Sequence, residues 1–173
     1  MNKMKKWIAG MVLSAVCVMA VEVGSVPPKV EIGGENGGRT DGKIWSSSML
    51  RGKVHILFYV DPDEKDLNEP LTQALKKRHF DRSKFASVAV VNLAATWKPN
   101  VIIEALLKKK QKEFPDTVYV KDKKKVLVNK WQLADDNSDI LLFDKHGKLV
   151  YKKFGKLSAQ EIEKVLSLIE KNL

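Results

Sequence analysis

Gly52-Lys53-Val54-His55-Ile56-Leu57-Phe58-Tyr59-Val60-Asp61-Pro62-Asp63-Glu64-Lys65-Asp66-Leu67-Asn68-Glu69-Pro70 changes character once, at Asp61. Before it, Val54 to Val60 is apolar apart from His55 and rich in β-branched and aromatic residues. Such a run reads as a strand buried on both faces, at the centre of an α/β sheet. After it, Asp61-Pro62 reads as a turn opening an amphipathic helix, with Leu67, Leu71, Ala74 and Leu75 on one stripe and Pro70 kinking or restarting it. A buried strand that ends at a helix N-terminus is where α/β proteins often place their chemistry, because free N–H groups and the helix dipole point there. Here the turn carries Asp61, Asp63, Glu64 and Asp66, and no cysteine.

The chain begins with Lys3, Lys5 and Lys6, followed by an apolar run from Trp7 to Ala20 that closes on Val18-Met19-Ala20. This is the pattern of a secretory signal cleaved between Ala20 and Val21; the run is shorter than the roughly 20 residues that span a bilayer. Two alternatives are a buried N-terminal helix and a lipoprotein acylated on Cys17, for which Val16 is a poor preceding residue. Removing 20 of 173 residues leaves 153, enough for one domain with a substantial core. Cys17 is the single cysteine, so a chain starting at Val21 has no disulfide, no thiol chemistry and no thiolate-bound metal.

The formal charge of +10 becomes +7 without the three lysines of the signal. Lysines cluster at Lys108 to Lys110 and Lys123 to Lys125, but Glu104, Glu113, Asp116 and Asp122 are interspersed and no aromatic alternates with them. They read as solvated faces rather than a nucleic-acid surface; contact with anionic lipid, lipopolysaccharide or cell-wall polymer is the alternative.

Along residues 21–173, strands and helices alternate. Val21 to Gly42 is an extended, Gly-rich lead-in, with an edge strand near Val30 and flexible loop at Gly33-Gly34 and Gly37-Gly38. Trp45 to Leu50 is a short element capped by serine. Phe85 to Leu93 is a second buried strand, and Val101 to Phe114 a helix spaced by Ile102, Ile103, Leu106 and Leu107 that Pro115 ends. Thr117 to Val120 is a short strand, and Val126 to Leu133 a helix or extended segment. Asp139 to Asp144 and Lys148 to Phe154 form a hairpin with Gly147 at a positive φ. Ser158 and Glu161 form a capping box, stapled by Leu157, for a last helix burying Ile162, Val165, Leu166 and Ile169.

The β-α-β-α-β-β-α order behind an extended N-terminus resembles the thioredoxin-like fold: a central mixed β-sheet flanked by helices, in one domain over residues 21–173. Within that superfamily the chain resembles the YtfJ-type periplasmic proteins. The points of contact are Val26-Pro27-Pro28, Trp45, Leu50-Arg51-Gly52-Lys53, Val90-Val91-Asn92, Phe114-Pro115, Trp131-Gln132-Leu133 and Leu142 to Val150. The resemblance implies an exported protein without established molecular function; a transcriptional-regulator label borne by some relatives conflicts with export. The positions matching Cys-x-x-Cys fall within Pro62 to Asp66 and hold no cysteine. The position matching the cis-proline falls near Ser138, with no proline between Asn137 and Ile140. Thiol-disulfide activity is therefore not expected.

Other chemistry has little support in the residues. His55 reads as a core side chain, His79 as a helix end and His146 as an exposed turn; no pair has zinc-ligand spacing. No Gly-rich phosphate loop or serine triad is identifiable, and no cofactor is implied. Trp131 reads as core, with a solvent-facing binding aromatic as the alternative. What remains is acid. In the thioredoxin-like arrangement, the loop bearing Asp135, Asp136 and Asp139 comes alongside the turn bearing Asp61, Asp63 and Asp66; otherwise the two loops are independently solvated. If they meet, Asp63, Asp66, Asp136 and Asp139 are weak candidates for a cation or a cationic peptide; Asp63 and Asp66 are three apart and share one face if both are helical. Two functions stay open: a non-catalytic binding or accessory module for a periplasmic protein or peptide, and an enzyme of non-redox type on the same scaffold.

Overall fold

The Gly-rich lead-in is part of the sheet system. In the computed structural model, which describes residues 20–173, Glu31–Ile32 (β1) pairs with Trp45–Ser46 (β3). Gly37–Arg39 (β2) is an edge strand antiparallel to Thr117–Asp122 (β6), not a flexible loop. Gly37 has φ +119°, and a Cβ there would collide with the carbonyl of Lys121. Glycine is needed for the close approach of two backbones, a signal that composition alone reads as flexibility. The expected signal segment up to residue 19, with Cys17, lies outside the described residues.

Val54–Val60 (β4) occupies the centre of a six-stranded sheet of order β2-β6-β5-β4-β7-β8. It runs parallel to Phe85–Asn92 (β5) and antiparallel to Ser138–Phe143 (β7). β5 is parallel to β6, and Leu149–Phe154 (β8) closes the far edge against β7. Helices Glu69–Arg78 (α1), Asn100–Glu113 (α2), Val126–Trp131 (α3) and Ala159–Asn172 (α4) cover the sheet.

Period-two alternation sorts the core. Leu57, Tyr59, Val88, Val90, Val120, Leu141 and Phe143 face one side, packed under Trp45, Leu127 and Trp131. Trp131 touches Trp45 edge-on at 6.5 Å and donates its indole N–H to the Pro28 carbonyl at 2.9 Å, so it is core. Val54, Ile56, Ile140 and Leu142 face the other side, under Leu71, Val165 and Ile169; Ile103 and Leu107 of α2 cover Val91 and Leu93. Each fully buried side chain of this size contributes roughly 1.5–3 kcal/mol. His55 is buried, its Nδ1 2.9 Å from the Lys53 carbonyl, and burial lowers its pKa. The Ser158–Glu161 capping box forms as expected, and Gly147 has φ +79°.

The helix after β4 starts later than the sequence implies. Residues 62–68 form turns, and α1 begins at Glu69 with Pro70 in its first turn, where its missing N–H costs nothing. Asp61 Oδ1 accepts the N–H of Asp63 at 2.8 Å, tying the acids into a turn of their own. Asp63 and Asp66 therefore do not share a helical face.

Candidate functional site, the acidic end of the sheet

At the C-terminal ends of β4, β5 and β6, the face that buries Leu57, Val88, Val90 and Val120 ends in a polar layer. Tyr59, Asn92, Asp122 and Asp139 all lie on this face, since each is two residues from a core side chain of its strand, and all four are buried.

Asp122 is fully engaged. Its Oδ1 accepts the N–H groups of Lys124 and Val126 at 3.2 and 2.9 Å. Its Oδ2 accepts the N–H of Leu127 at 3.1 Å and the hydroxyl of Tyr59 at 3.2 Å. It thus caps α3, whose residue at the N-cap, Lys125, is left-handed and offers no side-chain cap. Burial, then the adjacent Asp122, pushes the Tyr59 hydroxyl well above its ordinary pKa, so it stays a donor.

Asp139 differs. Its Oδ2 accepts the Ala134 N–H at 2.8 Å, while its buried Oδ1 has no hydrogen-bond partner among the described residues. Burial pushes its pKa up to about 7, and the single bond from Ala134 does not offset that. Asn92 Oδ1 is also buried and finds no partner among the described residues, while its Nδ2 donates to Asp135 Oδ1 at 2.9 Å. Two buried oxygens in this layer therefore lack a donor, a condition that native interiors seldom leave unexplained.

Above this layer the two acidic loops meet: the N–H of Asp61 donates to the Asn137 carbonyl at 2.8 Å. The buried Asp61 carboxyl has a raised pKa, first because of burial and then through repulsion from Asp63, Asp136 and Glu64. Part of the charge is answered internally. Lys98 binds the Asp63 carboxylate together with the Thr96 hydroxyl, and these hydrogen bonds hold Asp63 below its usual pKa. Lys125 pairs with Asp135 at 2.5 Å. Burial works against the Asp135 carboxylate, yet Lys125 and Asn92 hold its pKa below the ordinary value.

The metal candidates thus separate. Asp63 is held by Lys98, Asp66 is an exposed partner of Lys65, Asp136 stands exposed at φ +52°, and Asp139 lies beneath the loop. Among the described residues, no group of three or more His, Cys, Asp or Glu is placed to hold a metal. Sequence reasoning does not single out Asn92 or Asp122 as site residues, although it contains their signal. Each ends a strand two positions after a buried valine, so alternation alone puts it on the core face.

The chain is 27% identical over 134 residues to the uncharacterized protein YtfJ of Escherichia coli (strain K12), covering 76% of this chain and 73% of that protein. It is 30% identical over 128 residues to an uncharacterized protein of Haemophilus influenzae, covering 72% and 70%. Among solved structures, it superimposes on a putative thiol:disulfide interchange protein DsbE from Chlorobium tepidum with TM-score 0.63 at 17% identity, over 88% of this chain and 99% of that one. That likeness establishes the thioredoxin-like fold. The family described as "Bacterial protein of unknown function (YtfJ_HI0045)" matches residues 20–172, and the chain belongs to it.

Proposed function

We propose that this protein is exported to the periplasm by residues 1–20 and works there as a non-catalytic binding module, holding a cationic segment of a peptide or protein partner at the acidic end of its sheet. The observation that carries this reading is the Asp61 carboxyl, flanked by Asp63 and Glu64 from its own turn and by Asp136 from the facing loop. Acids gathered from two loops around one buried carboxyl mark a region of negative potential in a basic chain, and such a region selects a cation. Lys98 and Lys125 already occupy two of its carboxylates, so lysine is a chemistry this surface accommodates. A single cysteine in the whole sequence leaves no dithiol for exchange, so the shared fold does not bring thiol-disulfide chemistry with it.

The test is titration with a lysine-rich and a glutamate-rich peptide, followed by calorimetry at low and physiological salt. Binding of the lysine-rich peptide alone, weakened at least tenfold by Asp61→Asn with Asp136→Asn, is the expected result. Equal binding of both peptides, or of neither, removes the reading. Export is checked separately by intact mass in osmotic-shock fluid: the expected chain starts at Val21, and retention of residues 1–20 or a lipid on Cys17 contradicts it.

A non-redox enzyme is the second reading, and Asp139 is the observation that favours it. A buried carboxyl that titrates near neutrality is the kind of group that general acid–base catalysis uses.

A further inference from the structure

We propose that the first turns of α2, with Trp97 just before them, dock the protein on an anionic lipid surface. Among the described residues, ten large hydrophobic side chains are exposed, and four of them fall between positions 97 and 106. They are Trp97 at 86%, Val101 at 74%, Ile102 at 52% and Leu106 at 54%. The helix repeat explains the split. Ile103 and Leu107 are four apart and face the sheet, so Val101, Ile102 and Leu106 project from the outer side. Sequence spacing alone gives Ile102, Ile103, Leu106 and Leu107 as one apolar set, but only two of these four reach the core. An apolar patch this concentrated on a charged protein marks a contact surface.

Charge selects the occupant. The second half of α2 carries Lys108, Lys109 and Lys112, none of which has an ion-pair partner among the described residues. Lys110 and Lys76 both lie over the Phe114 ring, at 5.3 and 4.7 Å, which adds Lys76 of α1 to the same positive region. Of the acids around these lysines, Glu104 is neutralised by Lys121 and Lys123, at 3.6 and 2.8 Å, and Asp116 faces Arg82 at 3.7 Å; Glu113, at the end of α2, is the one left without an ion pair among the described residues, against Lys108, Lys109 and Lys112. Beside Trp97, Asp63 is neutralised by Lys98.

One end of the helix thus offers an indole and aliphatic side chains, and the other offers unpaired ammonium groups. This is the pairing of acyl boundary and anionic headgroup met by helices that lie in a bilayer interface, where tryptophan is favoured. No described helix is long and apolar enough to cross a membrane, so the contact is superficial.

The experiment is sedimentation with phosphatidylcholine vesicles, with and without phosphatidylglycerol, for the wild type and two variants whose fold is checked by circular dichroism. All three proteins are recovered from osmotic-shock fluid as chains starting at Val21, so the apolar, lysine-bearing residues 1–20 contribute nothing to vesicle binding. The wild type should partition onto the anionic vesicles and lose them at high salt. Lys108→Gln, Lys109→Gln and Lys112→Gln together should lower partitioning by about a hundredfold, at roughly fivefold per lysine near the surface. Trp97→Ser with Leu106→Ser should lower it on the same vesicles while leaving binding of lysine-rich peptide unchanged. Equal partitioning onto neutral vesicles, or indifference to both variants, overturns the proposal. So does light scattering that shows a dimer without vesicle binding, split to monomers by the Trp97 and Leu106 changes; the patch would then belong to a second copy of the chain.

Discussion

Asp122 and Asp139 are two carboxyls buried to the same degree on the same face of one sheet, and they do opposite things. Asp122 sits at the junction of β6 and α3 with four donors arranged around it. Asp139 sits at the start of β7 with one. Burial by itself therefore says nothing about role. The number of donors that the surrounding backbone supplies decides whether a buried acid fastens the fold or is left with unused capacity.

The contrast is most exposed to test at Asp122. Replacing it by alanine removes the cap of α3 and leaves buried N–H groups and the Tyr59 hydroxyl without an acceptor, so Asp122→Ala should cost about 3 kcal/mol in urea unfolding. A loss under about 1 kcal/mol would mean that water replaces the carboxylate and that the two acids do not differ in kind.

At Asp139 the sign reverses. Its folded pKa is about 7, against an ordinary value of 3.8. Between about pH 4 and pH 7 the folded chain keeps a proton that the unfolded chain releases, so stability falls as pH rises through this window and levels off above it. Holding the proton across so wide a window corresponds to roughly 4 kcal/mol; local relaxation and water entry reduce this to about 2 kcal/mol. Asp139→Asn, which cannot ionise, should gain that amount at about pH 8, match the wild type at about pH 4 and flatten the profile between. Parallel pH profiles for the two proteins would show that Asp139 finds a donor in solution.

What the sequence makes legible follows the range of the interactions involved. β4 reads correctly from Val54 to Val60 because a strand buried on both faces is a continuous apolar run. The Ser158–Glu161 box and the Gly147 turn are equally local, since each partner lies within a few residues. The acidic turn reads as helix because spacing at Leu67, Leu71 and Leu75 outweighs the start signal of Pro70. β2 reads as loop because its reason lies at Lys121, far along the chain. At the site, the acids of the two loops are visible in sequence, and the fold brings the loops together. Their internal counter-ions are not visible there: Lys98 and Lys125 become partners of Asp63 and Asp135 only through the packing of separate loops. Asn68 is a similar case. It ties Ser138, Gly155 and Leu157 together across 70 to 89 residues of sequence.

Those counter-ions set the smallest effect expected. Calcium takes six to eight oxygen ligands at short range, and each carboxylate must be free to turn toward it. Of Asp63, Asp66, Asp136 and Asp139, the first is held by Lys98 and Thr96, and the last lies beneath a loop whose Ala134 N–H it accepts. That leaves Asp66, itself paired with Lys65, and Asp136, both exposed, with no third acid among the described residues placed to complete a site. A cation bound only to the folded chain at about 100 times its Kd would add about 2.7 kcal/mol. For a domain of about 150 residues this would raise Tm by several degrees. Melting curves in millimolar calcium or magnesium should instead coincide with the metal-free curve to within a degree. A rise of several degrees in the wild type, abolished by Asp63→Asn with Asp136→Asn, would mean that the metal displaces Lys98 and that the two loops close around it. The acidic end would then be a cation site first and a peptide surface second.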